Sequence, residues 1–172
     1  IAMRNGKRFH LKIKSLIDGD QAYVKSWQKK QQARALELNF TKKTTAKEKA
    51  HCYEVSLTNR SDAKVPPLEV RYELYKSSSE KSIHGTTITS AGSGALKMKA
   101  IPRSGTGSRS TKSVAVSENQ ARAGGSSDVT EESLCGISIG IYQDGELVRS
   151  ERHGMVPEEE EDAAVDEEVA QE

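Results

Sequence analysis

The chain is short of most of what would announce an activity. It has two cysteines, four prolines, one tryptophan, and aromatic residues at only 5% of 172 positions. Two cysteines do not make the disulfide lattice by which small secreted domains replace a hydrophobic core. No stretch approaches the ~18 consecutive apolar residues that a membrane-crossing helix needs. The apolar fraction is 34%, under the roughly 45–50% of an average globular chain, a figure that also counts Gly, so part of the sequence is expected to stay solvated around a modest core. The length fits one ordinary domain with an appendage and excludes a large multidomain enzyme.

Catalytic and cofactor signatures are also missing. No serine sits in a G-x-S-x-G elbow. The glycine-rich stretches at 92–94 and 104–108 lead into no helix carrying a Lys-Ser/Thr pair, so neither can cradle a phosphate. His10, His51, His84 and His153 stand with Cys52 and Cys135 at none of the spacings that let neighbouring ligands converge on a metal. The expectation is therefore a non-enzyme with no cofactor and no metal. Asn39 and Asn59 open N-x-Ser/Thr triplets, a pattern short enough to arise by chance.

What is present is charge polarity and alternation. Residues 1–60 carry 14 Lys/Arg against 5 Asp/Glu, whereas 158–172 carry nine acidic residues and no base. A basic front can contact nucleic acid, anionic lipid or an acidic partner, and the acidic segment of the same chain would compete for it. Asn5-Gly6 marks a type I′ hairpin turn, after which Phe9, Leu11 and Ile13 alternate with the basic row Arg8, His10, Lys12 and Lys14. The pattern then becomes helical, with Asp20 as the expected N-cap and Tyr23, Val24 and Trp27 on one side. From Leu36 the period is two: Leu36, Leu38, Phe40; Tyr53, Val55, Leu57; Leu68, Val70, Tyr72, Leu74; Ile137, Ile139, Ile141. TTITS, ALKMKAI and TKSVAVS are further strand candidates, and Asp144-Gly145 predicts a closing hairpin. The Ser/Gly/Thr-rich stretches 103–113 and 117–133 read as loops, with one helical turn available in SDVTEESL. The fold class expected is mainly β: an antiparallel β-sandwich over 36–152, preceded by a hairpin and helix over 1–35 and followed by a disordered acidic tail over 153–172.

Two resemblances attach to these residues. NGKRFHLKIKSLIDGDQAYVKSW resembles the C-terminal half of the Sla-one homology domain, an SH3-like barrel, through Gly6, Lys7, Phe9, Leu11, Ile13, Leu16, Asp20, Gln21, Tyr23, Val24 and Trp27. The opening strands of that domain are absent, which implies a chain that begins inside it. Residues 36–152 look like the immunoglobulin-like domain that follows such modules in planctomycete and verrucomicrobial bacteria, with YEVSLTNRSDAKVPPLEVRYELY and GISIGIYQDGELV as its phrases. The resemblance implies a non-catalytic protein- or peptide-binding module of an envelope or adaptor-like protein, periplasmic or secreted. Its binding residues would be Lys7, Arg8, His10, Lys12 and Trp27, with Trp27 also readable as an anchor tying the helix to its neighbours. Nucleic acid or another polyanion on the basic front is the alternative. Cys52 and Cys135 open strands in opposite halves of the sandwich, where either a bridge or two free thiols fit.

Overall fold

A computed structural model describes residues 12–45, 50–80, 85–123 and 126–157. The hairpin at Asn5-Gly6 and the acidic segment 158–172 lie outside the described residues. After a short 3-10 turn at Ile13–Ser15, helix α1 spans Asp18–Arg34, and among the described residues nine strands follow: β1 Leu36–Thr45, β2 Ala50–Asn59, β3 Leu68–Glu80, β4 Gly85–Met98, β5 Thr106–Ser110, β6 Val114–Ala115, β7 Glu118–Ala123, β8 Ser126–Gln143 and β9 Glu146–Gly154. They form two antiparallel sheets. One has the order β1-β2-β5 with β6 also on β2; the other runs β4-β3-β8, and β8 pairs along its far side with both β7 and β9.

The alternating residues of the sequence build the core between the sheets. Tyr53, Val55 and Leu57 of β2 face Leu68, Val70, Tyr72 and Leu74 of β3 and Ile137, Ile139 and Ile141 of β8, all buried in one cluster. Each such side chain contributes about 1.5–3 kcal/mol of transfer free energy, which is what selects this register over one slipped by a residue. Asp144 and Gly145 adopt φ of 52° and 81°, the two positive angles of a type I′ turn, and join β8 to β9 as the Asp-Gly pair predicts.

The structure corrects several local expectations. Within the expected loop 117–133, residues 118–123 and 126–133 are strand: β7 pairs with 126–131 of β8, and β8 pairs with β3 as far as Glu80↔Thr130. SDVTEESL is therefore extended rather than helical. The reason is a pair of bulges at one level of β3, beside Leu74/Tyr75 on the β4 side and Tyr75/Lys76 on the β8 side. Beyond them the sheet leaves the core and continues as a polar ribbon held by ladder hydrogen bonds, where burial imposes no apolar alternation. The bulge also explains why Leu134 and Ile137 are both buried although they stand three positions apart, a spacing that would put them on opposite faces of a regular strand. Within 103–113, β5 pairs with β2, and its Gly107 lies beside Ile101, whose Cδ1 would be 3.5 Å from an added Cβ. Helix α1 begins three residues earlier than expected, with Ile17 rather than Asp20 at the N-cap and no side-chain cap there; Asp18 and Asp20 both sit in the first turn, where they favour the positive end of the helix dipole. Ile13 belongs to the 3-10 turn rather than to a strand. β9 continues through Gly154, two residues past the expected sandwich boundary.

Polar knots close the two sides of the sandwich. On one side Arg149 of β9 donates from Nη1 to Leu36 O at 2.6 Å and Ala33 O at 3.1 Å. There Lys42 of β1 donates to Leu134 O at 2.7 Å, and Phe40 stacks on His153 with ring centroids 5.0 Å apart. On the other side fully buried Asn59 binds both flanking loops through Ala63 O, Ile101 O, Pro102 O and Ser61. This burial makes Asn59 inaccessible as a glycan acceptor. Tyr72 crosses the interior above Gly94 so that its hydroxyl accepts the Lys112 N–H at 2.9 Å.

Candidate binding surface on helix α1

Helix α1 lies against the β8–β9 hairpin through a face of small and polar residues. Ser26 Oγ bonds to Glu146 Oε1, and Lys29 Nζ is 3.0 Å from Asp144 Oδ2 and 3.6 Å from Glu146 Oε2. Ala33 is buried at the C-terminal end, where the Arg149 guanidinium caps a carbonyl that no helical N–H can reach. Positions 26, 29 and 33 follow the three- and four-residue spacing of one helix face. The Asp144 hydrogen bond, ahead of its Coulomb attraction, raises the Lys29 ammonium pKa against a lesser desolvation effect. The Ser26 hydroxyl and the Lys29 charge hold the Glu146 carboxyl below the usual range. The Glu146 carboxylate is thus ionised at neutral pH, and its part in the latch is lost only as the pH falls through its lowered pKa.

A neighbouring stripe of the same helix carries the opposite kind of side chain. Tyr23, Trp27, Lys30 and Arg34 fall at i, i+4, i+7 and i+11, within about 60° of one another on a 3.6-residue helix. Tyr23 is 72% exposed and Trp27 52%, and Lys30 and Arg34 are exposed as well. Ile17, just before the helix, is 74% exposed. An amphipathic helix normally turns its largest apolar side chains to the core. Here Ala, Ser and Lys face the body and the aromatics face outward, so Trp27 does not anchor the helix to the sandwich. An exposed aromatic set flanked by cations is the kind of patch that marks an interaction surface.

The sequence-based site residues distribute unevenly around this stripe. Trp27 is on it; Lys12 is exposed in the extended residue before the 3-10 turn; Lys7, Arg8 and His10 lie outside the described residues. Cys52 and Cys135 are not bridged. Strand alternation points Cys52 away from the face that carries Tyr53 and Val55, whereas Cys135 sits in the β8 bulge with its Sγ donating to Tyr75 O at 3.4 Å. Burial raises the Cys135 thiol, which keeps it protonated and unreactive. Burial, followed by the charge of Lys42, lowers His51, and its Nδ1 is 3.1 Å from Thr44 Oγ1. No group of three or more His, Cys, Asp or Glu among the described residues converges as a metal site. No helix among them is long and apolar enough to cross a membrane.

The sequence placed Tyr23 with Trp27 on one side of the helix, but did not join Lys30 and Arg34 to them as one surface. The signal was there in the i, i+4 aromatic pair continued by cations, next to a parallel row of Ser26, Lys29 and Ala33 that can dock by hydrogen bond, ion pair and close packing. A second depression, on the outer face of β8 and β9 by Ser138, Leu147 and Ser150, offers less. Among the described residues no aromatic ring lines it, and on β8 the Tyr142 ring already has the Arg71 guanidinium 4.2 Å from its centroid. No family model matches this chain, and no curated protein matches it in sequence.

Proposed function

We propose that the chain is a non-catalytic module that binds a protein or peptide ligand through the outer stripe of α1, Tyr23–Trp27–Lys30–Arg34. The observation that carries this reading is the exposure of Tyr23 and Trp27 on a helix that is already docked through an adjacent face. Aromatic side chains are large, rigid anchors that lose little rotamer entropy on binding, and a flanking Arg and Lys supply orientation and charge selectivity. The same reading takes the two sheets as an immunoglobulin-like sandwich and the segment through Trp27 as part of a Sla-type SH3-like module. It further assigns the chain to a bacterial envelope or adaptor-like protein.

The test is a peptide selection against the full chain, with the Tyr23→Ala/Trp27→Ala protein as counter-screen. Enriched peptides should lose at least about tenfold in affinity on the double variant, the cost of about 1.4 kcal/mol expected for removing an aromatic anchor. Peptides that bind both proteins equally would reject the stripe as the site. A second reading rests on the interleaving of Tyr23 and Trp27 with Lys30 and Arg34, which also suits stacking on single-stranded nucleic acid. Oligo-dT binding that weakens steeply with salt would favour that class over the peptide.

A further inference from the structure

We propose that the occupant of the α1 stripe in the isolated chain is the chain's own acidic segment 158–172. This rests on the preceding reading of the stripe as a binding surface and names what fills it. The complementarity is one of charge and of apolar content. The stripe presents Lys30 and Arg34, with Lys25 also exposed on the same helix, and carries no acidic residue between Tyr23 and Arg34. Segment 158–172 has nine Asp/Glu, no Lys or Arg, and Val165 and Val169 as its largest apolar side chains.

Geometry makes the encounter local. The C-terminal end of α1 lies beside β9, because Arg149 bonds to Ala33 O. From Arg149 the strand runs only to Gly154, five residues or about 17 Å at about 3.4 Å per residue. The fifteen residues of 158–172 can span up to about 50 Å. Tyr23 to Arg34 is eleven residues of helix, about 17 Å along the axis. The segment can therefore return to Arg34 and run the length of the stripe to Tyr23. Tethering converts a set of weak exposed ion pairs into an intramolecular contact at an effective concentration of order mM. A ligand for the stripe must displace this segment, so acidic ligands with an apolar side chain are the class that competes.

Trp27 is the only tryptophan of the chain, so its emission reports the stripe alone. Acrylamide quenching of the full-length protein is compared with that of two variants. One has every Asp and Glu of 158–172 replaced by Asn or Gln; the other is Lys30→Gln/Arg34→Gln with the acidic segment intact. At about 0.01 M salt, where the Debye length is about 30 Å, the wild type should be quenched about twofold less than either variant; at about 1 M, where it is about 3 Å, the three should coincide. Equal quenching of the three proteins at low salt would overturn the proposal. Protection of Trp27 that rises with protein concentration would overturn it too, because the segment of a second copy would then be the occupant. The two readings fail separately. If the wild type shows no protection while selected peptides still need Tyr23 and Trp27, only the tail contact is lost; if the peptides do not need them, the stripe itself is rejected.

Discussion

Asn59 offers the sharpest test of how this sandwich is held. Its side chain is 0% exposed. The amide Nδ2 donates to Ala63 O at 2.8 Å, and is 3.1 Å from Pro102 O and 3.3 Å from Ile101 O, so two hydrogens serve three carbonyls. Oδ1 accepts from Ser61 N at 2.9 Å and Ser61 Oγ at 2.6 Å. Asn59→Ala removes about four hydrogen bonds at a net ~1 kcal/mol each, less what water recovers in the space left, which gives a loss of about 2–4 kcal/mol. With a urea slope of about 2 kcal/mol per M, the midpoint should fall by about 1–2 M. Asn59→Asp is the more discriminating change, because it keeps the acceptor for Ser61 and places a carboxylate oxygen against three carbonyls. The folded state then favours the protonated acid, so Asp at this position has a pKa raised above its unfolded value near 3.9. The sign follows: the variant's penalty is smallest below pH 4, grows as pH rises above the unfolded pKa, and levels off once pH passes the folded pKa. Urea midpoints of wild type and both variants at about pH 3.5 and pH 7 measure this. A constant gap between Asn59→Asp and wild type at the two pH values would refute the reasoning, as would an Asn59→Ala loss below about 1 kcal/mol.

Other outcomes follow from equally local geometry. Gly94→Ala puts a Cβ 2.5 Å from the Tyr72 hydroxyl and must push the ring off its Lys112 N–H partner; it should lower stability by about 1–3 kcal/mol, and combining it with Tyr72→Phe should cost less than the sum of the two, as a double-mutant cycle in urea would read. Arg149→Ala leaves Ala33 O and Leu36 O without their cationic donor, so hydrogen exchange of α1 amides should accelerate well before those of β2 and β3; uniform acceleration would show that the helix is not separately latched. Glu132, bonded to Lys76 at 2.6 Å and to Ser117, has its carboxyl pKa lowered to about 2. Its folded pKa is depressed, so its stabilisation is present above about pH 4.5 and is lost as pH falls toward 2. The shift sets a ceiling of about 3 kcal/mol, reduced to about 1–2 by solvent screening at this ribbon position. Glu132→Gln should therefore melt lower than wild type at pH 7 and converge with it near pH 2.

Period-two alternation was sufficient to place Val55, Leu57, Val70, Leu74, Ile139 and Ile141 in the core, because a strand with one buried face has only one register that buries them. Asp144-Gly145 was sufficient for the last hairpin, because few other pairs accept two positive φ angles. Strands at 118–123 and 126–133 were not legible: a segment that pairs outside the core through its backbone needs no apolar pattern, and its partners are supplied by β3 reaching past its bulges to β8 and by β8 to β7. The packing of α1 was not legible either. Its sequence shows where Tyr23, Val24 and Trp27 lie around the helix, but which side is covered depends on what lies alongside. The β8–β9 turn presents Asp144 and Glu146 to Lys29 and Ser26, and Arg149 to the last carbonyls. Those contacts select the polar face for docking and leave the tryptophan outside, a choice made by partners more than a hundred residues away along the chain.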